Sequence, residues 1–167
     1  MNQATDTAIP SFYAPGQYRP DQSVGFLMKR VMSSILAQAD ARLAVYDLTH
    51  AQWLPLFKLA MKDCDTVAAL SRELELDPGA MTRALDRLEA KGLVRRERST
   101  EDRRVVHLVL TDEGRKVARK VPPVMAEVLN SHLKGFSEAE WQQLLGLLGR
   151  MVANGDAMRD GARPSAE

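Results

Sequence analysis

The sequence predicts a mainly helical fold that carries one small β-hairpin. Over most of the 167 residues, apolar side chains recur every three or four positions, which is the period of an amphipathic helix. Two short runs rich in β-branched residues, 93–97 and 105–110, interrupt this pattern on either side of a polar, charge-dense stretch, which is typical of a hairpin. Aromatic residues make up only 5% of the chain, and the abundance of Leu, Ala and Met also favours helix.

Composition and charge narrow the possible function classes. No apolar run reaches the roughly 18 residues of a membrane span, and no signal peptide is visible, so we expect a cytoplasmic protein that does not bind membranes. The single cysteine, Cys64, and three scattered histidines predict neither a disulfide nor a metal site, and no cofactor is expected. The net charge of +1 is small, but residues 83–104 concentrate eight cations against five acids.

The first 48 residues divide into an arm and a long helix. Residues 1–20 contain three prolines and a glycine with little periodicity, which indicates an extended arm. From Asp21 or Ser23, apolar residues recur at helical spacing to about Val45, so the region 21–48 is predicted to hold one amphipathic helix.

Two further helices are predicted next, at the start of a lobe that spans residues 49–111. The second helix is predicted to start at Thr49-His50-Ala51-Gln52, which matches the capping box. In this motif the first and last side chains each bond an unpaired backbone donor. Asp65 or Thr66 can cap a short third helix that runs through Leu74.

A fourth helix follows after a turn of only about three residues. Asp77 can cap it, Pro78 suits its first position, and Lys91-Gly92 ends it. Two helices joined so tightly are typical of a helix-turn-helix, whose second helix enters the major groove of DNA. With the apolar side chains inward, the outward positions of this helix are Gly79, Thr82, Arg83, Asp86 and Arg87.

The two outward arginines favour base recognition. Arg83 and Arg87 lie one turn apart, so both can reach the same side, and bidentate contact with guanine is the commonest specific readout. Thr82 can contact a base or a phosphate beside them. The alternative is a solvated helix face on which both arginines pair with Asp86 or Glu89.

The hairpin favours the DNA-binding interpretation. Its loop has the length of a wing, and a cation at a wing tip can enter the minor groove, whose negative potential attracts it. We expect Asp102 to pair with an arginine such as Arg104 and to stiffen the tip, while Arg103 faces the DNA. The complete set of candidate DNA-contacting residues is Thr66, Pro78, Gly79, Thr82, Arg83, Arg87, Arg95, Arg98, Arg103 and Arg104.

The remaining residues are predicted to form dimerisation helices over 112–154 and a flexible tail over 155–167. One helix begins at Thr111 or Asp112 and continues past Lys120, with a kink at Pro122-Pro123. A second capping box at 137–140 starts the last helix. Its leucine stripe needs another surface for burial, either a second subunit or the same subunit.

Two motifs identify a family. Residues 85–94 read Leu-Asp-Arg-Leu-Glu-Ala-Lys-Gly-Leu-Val, and residues 102–104 and 110–114 read Asp-Arg-Arg and Leu-Thr-Asp-Glu-Gly. They resemble the recognition-helix ending and the wing of the MarR family of transcriptional regulators, over roughly residues 24–152. The resemblance implies that residues 49–111 form a winged helix-turn-helix DNA-binding lobe. It also implies a homodimer held by the first helix, in region 21–48, and by the last two helices. It further implies that the dimer binds a palindromic DNA site and that a small aromatic or phenolic acid, or an oxidant, releases the protein from this site.

An aromatic acid is the more plausible effector. Cys64 lies between Asp63 and Asp65, whose negative charge disfavours the reactive thiolate. An aromatic carboxylate needs apolar walls and a cation, and two groups of residues can supply them. The alternative is that the arm only packs over the dimer core. The candidate ligand-binding residues are His50, Trp53, Phe12, Tyr13, Tyr18 and Arg19.

The sequence therefore predicts a DNA-binding transcriptional regulator, most simply a repressor that an aromatic or phenolic ligand releases from its operator. An enzyme is not expected, because no glycine-rich phosphate loop, nucleophile motif or metal-ligand spacing is present. The alternative is a winged helix that binds a partner protein without reading bases.

Overall fold

The computed structural model describes residues 9–61, 65–100, 102 and 105–161, with side chains up to residue 159. It confirms a mainly helical fold with one two-stranded antiparallel hairpin. Two compact units are present, one ending at Val121 and one beginning at Pro122. The elements are α1 (Val24–Leu43), α2 (His50–Met61), α3 (Val67–Glu73), α4 (Pro78–Ala90), β1 (Val94–Arg98), β2 (Val106–Leu110), α5 (Asp112–Ala118), α6 (Val121–His132) and α7 (Glu138–Gly161).

Helix α1 begins where the sequence predicts. The Ser23 hydroxyl accepts a hydrogen bond from the backbone N–H of Phe26 at 3.2 Å, as an N-cap does. The Tyr13 hydroxyl of the arm accepts from the N–H of Val24 at 2.9 Å, so a second unpaired donor of the first turn is satisfied. The helix ends at Leu43, slightly before the predicted Val45, because the chain tightens into a 3₁₀ turn over Ala44–Tyr46.

Helices α2, α3 and α4 form the core of the N-terminal unit. Side chains from all three are fully buried, and the caps of α3 and α4 are those predicted. Thr66 accepts from the N–H of Ala69 at 3.2 Å, and Asp77 accepts from the N–H of Ala80 at 2.8 Å. The leucine and methionine side chains of these helices that are 0% exposed are Leu56, Leu70, Met81, Leu85 and Leu88.

The hairpin is joined to the loop that precedes α3. Its strands pair from Val94 with Leu110 to Arg98 with Val106. The N–H of Leu108 donates to the Asp65 carbonyl at 2.6 Å, and His107 Nδ1 lies 2.8 Å from Asp65 Oδ2. These bonds hold the base of the wing beside the start of α3.

Two predictions about the C-terminal helices are wrong. The fifth helix does not continue past Lys120 with a kink, because α5 ends at Ala118 and α6 begins at Val121. Pro122 and Pro123 fall in the first turn of α6, where the missing N–H of a proline costs nothing.

The last helix is also longer than predicted. It starts at the expected capping box, in which Ser137 and Glu140 exchange backbone and side-chain hydrogen bonds. Residues 155–161, predicted as the start of a flexible tail, continue α7 as helix to Gly161. Among the described residues, no helix has both the length and the hydropathy to cross a membrane, and no cluster of His, Cys, Asp and Glu can hold a metal.

Candidate nucleic-acid interface

Helix α4 presents two sharply different faces. Met81, Leu85 and Leu88 are 0% exposed and form its inner side. Thr82, Arg83, Asp86 and Arg87 are exposed on the other side, together with Gly79 in the first turn. The predicted outward set therefore lies together on one solvent-facing surface.

Arg83 and Arg87 are free of the acidic side chains that could have paired with them. No hydrogen bond or ion pair engages either guanidinium within the described part of the chain, although Asp86 and Glu89 lie on the same helix. The two carboxylates instead bind Arg96. The alternative in which Arg83 and Arg87 pair with Asp86 or Glu89 is therefore wrong.

Arg96 of β1 contacts two acidic side chains of α4. Its guanidinium lies 2.7 Å from Asp86 Oδ1 and 2.5 Å from Glu89 Oε2, and its backbone N–H donates to Glu89 Oε1 at 3.2 Å. The hydrogen bond to Asp86, with the negative charge of both acids, raises the pKa of Arg96 above its ordinary value. Sequence reasoning assigned Arg96 no role. The period of a strand places it on the same face as buried Val94, which is the signal that could have found it.

The first turn of α4 leaves room for another molecule, such as DNA, to come close to the backbone. A Cβ on Gly79 would lie 3.1 Å from Asp77 Oδ1 and 3.5 Å from Arg83 Nη1. Because glycine has no Cβ, neither the capping side chain of Asp77 nor the guanidinium of Arg83 is crowded. The Thr82 hydroxyl donates to the Pro78 carbonyl at 2.9 Å. Its lone pairs and methyl group stay available to an amino group or a thymine methyl in a major groove.

The arginines of the wing, which is the hairpin of β1 and β2, differ in whether an acidic side chain pairs with them. Arg95 pairs with Glu97 at 2.7 Å, whereas the exposed side chain of Arg98 has no ion pair or hydrogen bond within the described residues. At the tip, the N–H of Asp102 donates to Ser99 Oγ at 3.3 Å. Arg103 and Arg104 lie outside the described residues, so their DNA contacts and the pairing of Asp102 with Arg104 stay predictions.

The candidate ligand-binding residues form two separate groups. In the arm, Tyr13 and Tyr18 meet edge to face with ring centroids 5.9 Å apart. Phe12 is 87% exposed, and Arg19 lies 3.6 Å from the Asp21 carboxylate.

At the start of α2, His50 and Trp53 meet edge to face at 5.1 Å. Trp53 is buried, and its indole N–H donates to Asp40 of α1 at 2.9 Å, so it fastens α1 to α2. No hydrogen bond or ring contact joins this group to the arm among the residues that the structure describes. Cys64 lies outside them.

Comparison with known proteins identifies this architecture. Residues 48–106, which hold α2 to α4 and β1, match the model of the MarR family. The crystal structure of the transcriptional regulator PA3341 shares 32% identity over 81% of this chain and 99% of its own, with a TM-score of 0.73. The chain belongs to the MarR family. Its members are transcriptional regulators built on a winged helix-turn-helix, and this chain has that fold.

Two other solved structures are similar to this chain. A mutant Escherichia coli MarR in complex with operator DNA is 29% identical over 76% of this chain and 91% of its own, with a TM-score of 0.70. BpsR of Bordetella bronchiseptica, whose DNA binding 6-hydroxynicotinic acid regulates, is 24% identical over 81% of this chain and 96% of its own, with a TM-score of 0.71. The likeness to BpsR shows the shared fold.

Proposed function

We propose that this MarR-family protein is a homodimeric repressor that reads a palindromic operator with Arg83 and Arg87. The observation that carries the proposal is that these two guanidiniums are exposed, one helical turn apart and free of ion pairs among the described residues, while Arg96 binds the neighbouring acids. Free guanidiniums on a recognition helix suit the O6 and N7 acceptors of guanine. Chromosomal DNA as the target would place the protein in the cytoplasm.

The charge of the recognition surface supports DNA as the partner. Asp86 and Glu89 would repel phosphates if they were unpaired, but the Arg96 guanidinium binds both carboxylates and offsets one of their two negative charges. Arg98 of the wing has no ion pair in the part of the chain that the structure describes, and its guanidinium can bind a phosphate. Arg95 can do so only by leaving or sharing Glu97, so we expect a smaller contribution from it. Thr66 uses its hydroxyl to cap α3, which leaves the backbone N–H groups of that turn as its phosphate donors.

Exposed apolar side chains support a homodimer. Six of them lie on α1 with exposed fractions between 38% and 54%, and five lie on α7 with exposed fractions between 43% and 70%. Surfaces of this kind are usually covered by another chain, and a second copy with two-fold symmetry suits a palindrome. Its recognition helices would lie roughly 34 Å apart, one turn of DNA. The residues are Val24, Phe26, Leu27, Met28, Val31 and Met32 on α1 and Leu145, Leu147, Met151, Val152 and Met158 on α7.

The effector is proposed to be a small aromatic or phenolic acid. The exposed rings of Phe12, Tyr13 and Tyr18 offer apolar contacts, and Arg19 offers a cation that is only loosely held by Asp21. His50 is the more accessible ring of the second group, because Trp53 is buried. The first compound to test is 6-hydroxynicotinic acid, added to the protein–DNA complex, with Tyr18→Ala and His50→Ala separating the two groups.

Fluorescence anisotropy tests base reading directly. The wild-type protein is titrated against its own upstream intergenic duplex and a scrambled duplex at two salt concentrations, beside Arg83→Ala, Arg87→Ala and the charge-matched control Arg150→Ala on α7. We expect tight, strongly salt-dependent binding of the native duplex and a selective loss in the first two variants. Equal binding of both duplexes, unaffected by Arg83→Ala, would instead favour a winged helix that binds a partner protein.

A further inference from the structure

A lysine at the end of the recognition helix ties it to the loop that follows α1. Lys91 is the C-cap of α4, and Gly92 behind it has a φ of +67°, so the helix ends at a defined point. The Lys91 ammonium lies 3.0 Å from Asp47 Oδ2 and 3.2 Å from Gln52 Oε1, and it also donates to the Asp47 carbonyl. An ammonium has three protons, so these bonds use all of its donors within the protein.

The acceptors of Lys91 are held by their own surroundings. Asp47 adopts a left-handed conformation with a φ of 55°, and its N–H donates to the Ala44 carbonyl at 2.9 Å, which closes the 3₁₀ turn that extends α1. Gln52 is 3% exposed, and its Oε1 also accepts from the N–H of Thr49 at 3.2 Å. The Lys91 side chain therefore joins the end of α4 to the end of α1 and to the start of α2.

The position of α1 matters because α1 carries part of the proposed dimer surface. The hydrogen bond from Trp53 to Asp40 fastens α1 to α2 at 2.9 Å, and Lys91 fastens α4 to the loop between them. In a dimer whose subunits meet through α1, these bonds determine how far apart the two recognition helices lie.

We propose that Lys91 is a positioning residue that sets the half-site spacing which the dimer accepts. The inference rests on the proposed homodimer and palindromic operator. We do not expect Lys91 to contact DNA, because its ammonium is already bound and only 27% of its side chain is exposed. Without its bonds the end of α4 can shift relative to α1, and operators of altered spacing are then bound with a smaller penalty.

A spacing series tests this role. A palindromic duplex is selected from a random pool, and one base pair is added or removed at its centre, which rotates one half-site by roughly 35° about the DNA axis. Anisotropy then gives the affinity for the three duplexes of the wild type, Lys91→Met, Asp47→Asn and the charge-matched control Lys134→Met on the exposed surface of the C-terminal unit. Asparagine tolerates the left-handed conformation at residue 47 and keeps the backbone acceptor.

We expect the affinity penalty for altered spacing to shrink roughly fivefold in Lys91→Met, as expected for the loss of a partly exposed charged hydrogen bond. It should shrink less in Asp47→Asn and stay unchanged in Lys134→Met, and the salt slope of Lys91→Met should equal that of the wild type. An unchanged spacing penalty, or a uniform loss of affinity with a salt slope lower by about one, would overturn the inference and in the second case indicate a phosphate contact.

The outcome can still be interpreted if Lys91→Met does not fold or if the wild type shows no sequence preference. If Lys91→Met is unfolded by circular dichroism, the spacing penalty of Asp47→Asn decides the question in the same way. If the wild type prefers no selected duplex over a scrambled one, the proposed function itself fails, and the inference fails with it. If the wild type prefers its duplex and only the spacing result is negative, the regulator stands and the role of Lys91 does not.

Discussion

Replacing Arg96 with methionine removes the cation that joins the wing to the recognition helix. Methionine keeps much of the apolar stem but loses the contacts of the guanidinium with Asp86 at 2.7 Å and Glu89 at 2.5 Å. The backbone bond from Arg96 to Glu89 at 3.2 Å can survive the change. Two adjacent carboxylates on α4 are then left without their partner cation.

The stability effect follows from how far Arg96 is shielded from water. A hydrogen bond to a charged group contributes about 1.5–3 kcal/mol when it is well shielded, whereas an exposed ion pair contributes about 0.2–1 kcal/mol. The Arg96 side chain is 30% exposed and its partners are 55% and 40% exposed, so screening reduces both contacts. We expect Arg96→Met to lower the free energy of unfolding by about 1–2 kcal/mol.

The same change should weaken DNA binding more than a surface charge loss would. Freed Asp86 can pair with Arg83 at the i, i+3 spacing and compete with the DNA for that guanidinium. We expect a loss of roughly tenfold in affinity for the native duplex, equivalent to about 1.4 kcal/mol. Adding Asp86→Asn to Arg96→Met should recover part of this loss, because the competing carboxylate is gone.

Urea denaturation followed by circular dichroism and anisotropy at two salt concentrations measure both effects. Arg98→Met is the control, because Arg98 is an exposed strand arginine without an ion pair among the described residues. It should lower the salt slope while leaving stability unchanged. If Arg96→Met alters the unfolding free energy by less than about 0.5 kcal/mol and binds DNA like the wild type, the bridge between wing and helix has no role.

Three further changes test separate parts of the fold. Gly114→Ala should destabilise the protein by roughly 3 kcal/mol, because a Cβ there would lie 1.9 Å from the Leu93 carbonyl oxygen. An unchanged midpoint in thermal denaturation would show that α5 can shift freely. Ser71→Ala should raise the unfolding free energy by about 1 kcal/mol, since the buried Oγ of Ser71 has no hydrogen-bond partner among the described residues. A lower unfolding free energy of the variant in urea denaturation would contradict this. Hydrogen bonds from Ser137 hold the pKa of Glu140 below its ordinary 4.5, so its capping contribution is present above pH 4.5 and lost as the pH falls through the lower folded value. Glu140→Gln keeps the cap without titrating, so its helix signal should fall less in acid, and identical acid curves for both proteins would refute the link.

Local signals account for what the sequence predicted well. The caps at Ser23, Thr66 and Asp77 were predicted because each bond spans only three residues, so the sequence window contains both partners. The outward face of α4 followed from its apolar period, since Met81, Leu85 and Leu88 define the buried side.

Contacts between distant residues account for what the sequence could not predict. Whether Asp86 pairs with an arginine of its own helix or with Arg96 depends on how close the hairpin packs, and no local pattern contains that distance. The break after Ala118 had a visible signal in the prolines that follow, but a kink and a new helix are equally compatible with it. The extension of α7 to Gly161 was missed because the sequence after Asn154 lacks a strong apolar stripe.

Removing a single acceptor atom from the operator tests base reading by Arg83 most directly. Each guanine of the selected half-site is replaced in turn by 7-deazaguanine, which lacks N7, and the affinities of the wild type and Arg83→Ala are measured by anisotropy. We predict one guanine at which the replacement costs the wild type about 1–3 kcal/mol and costs Arg83→Ala almost nothing. Equal losses in both proteins at every guanine would show that Arg83 reads no base.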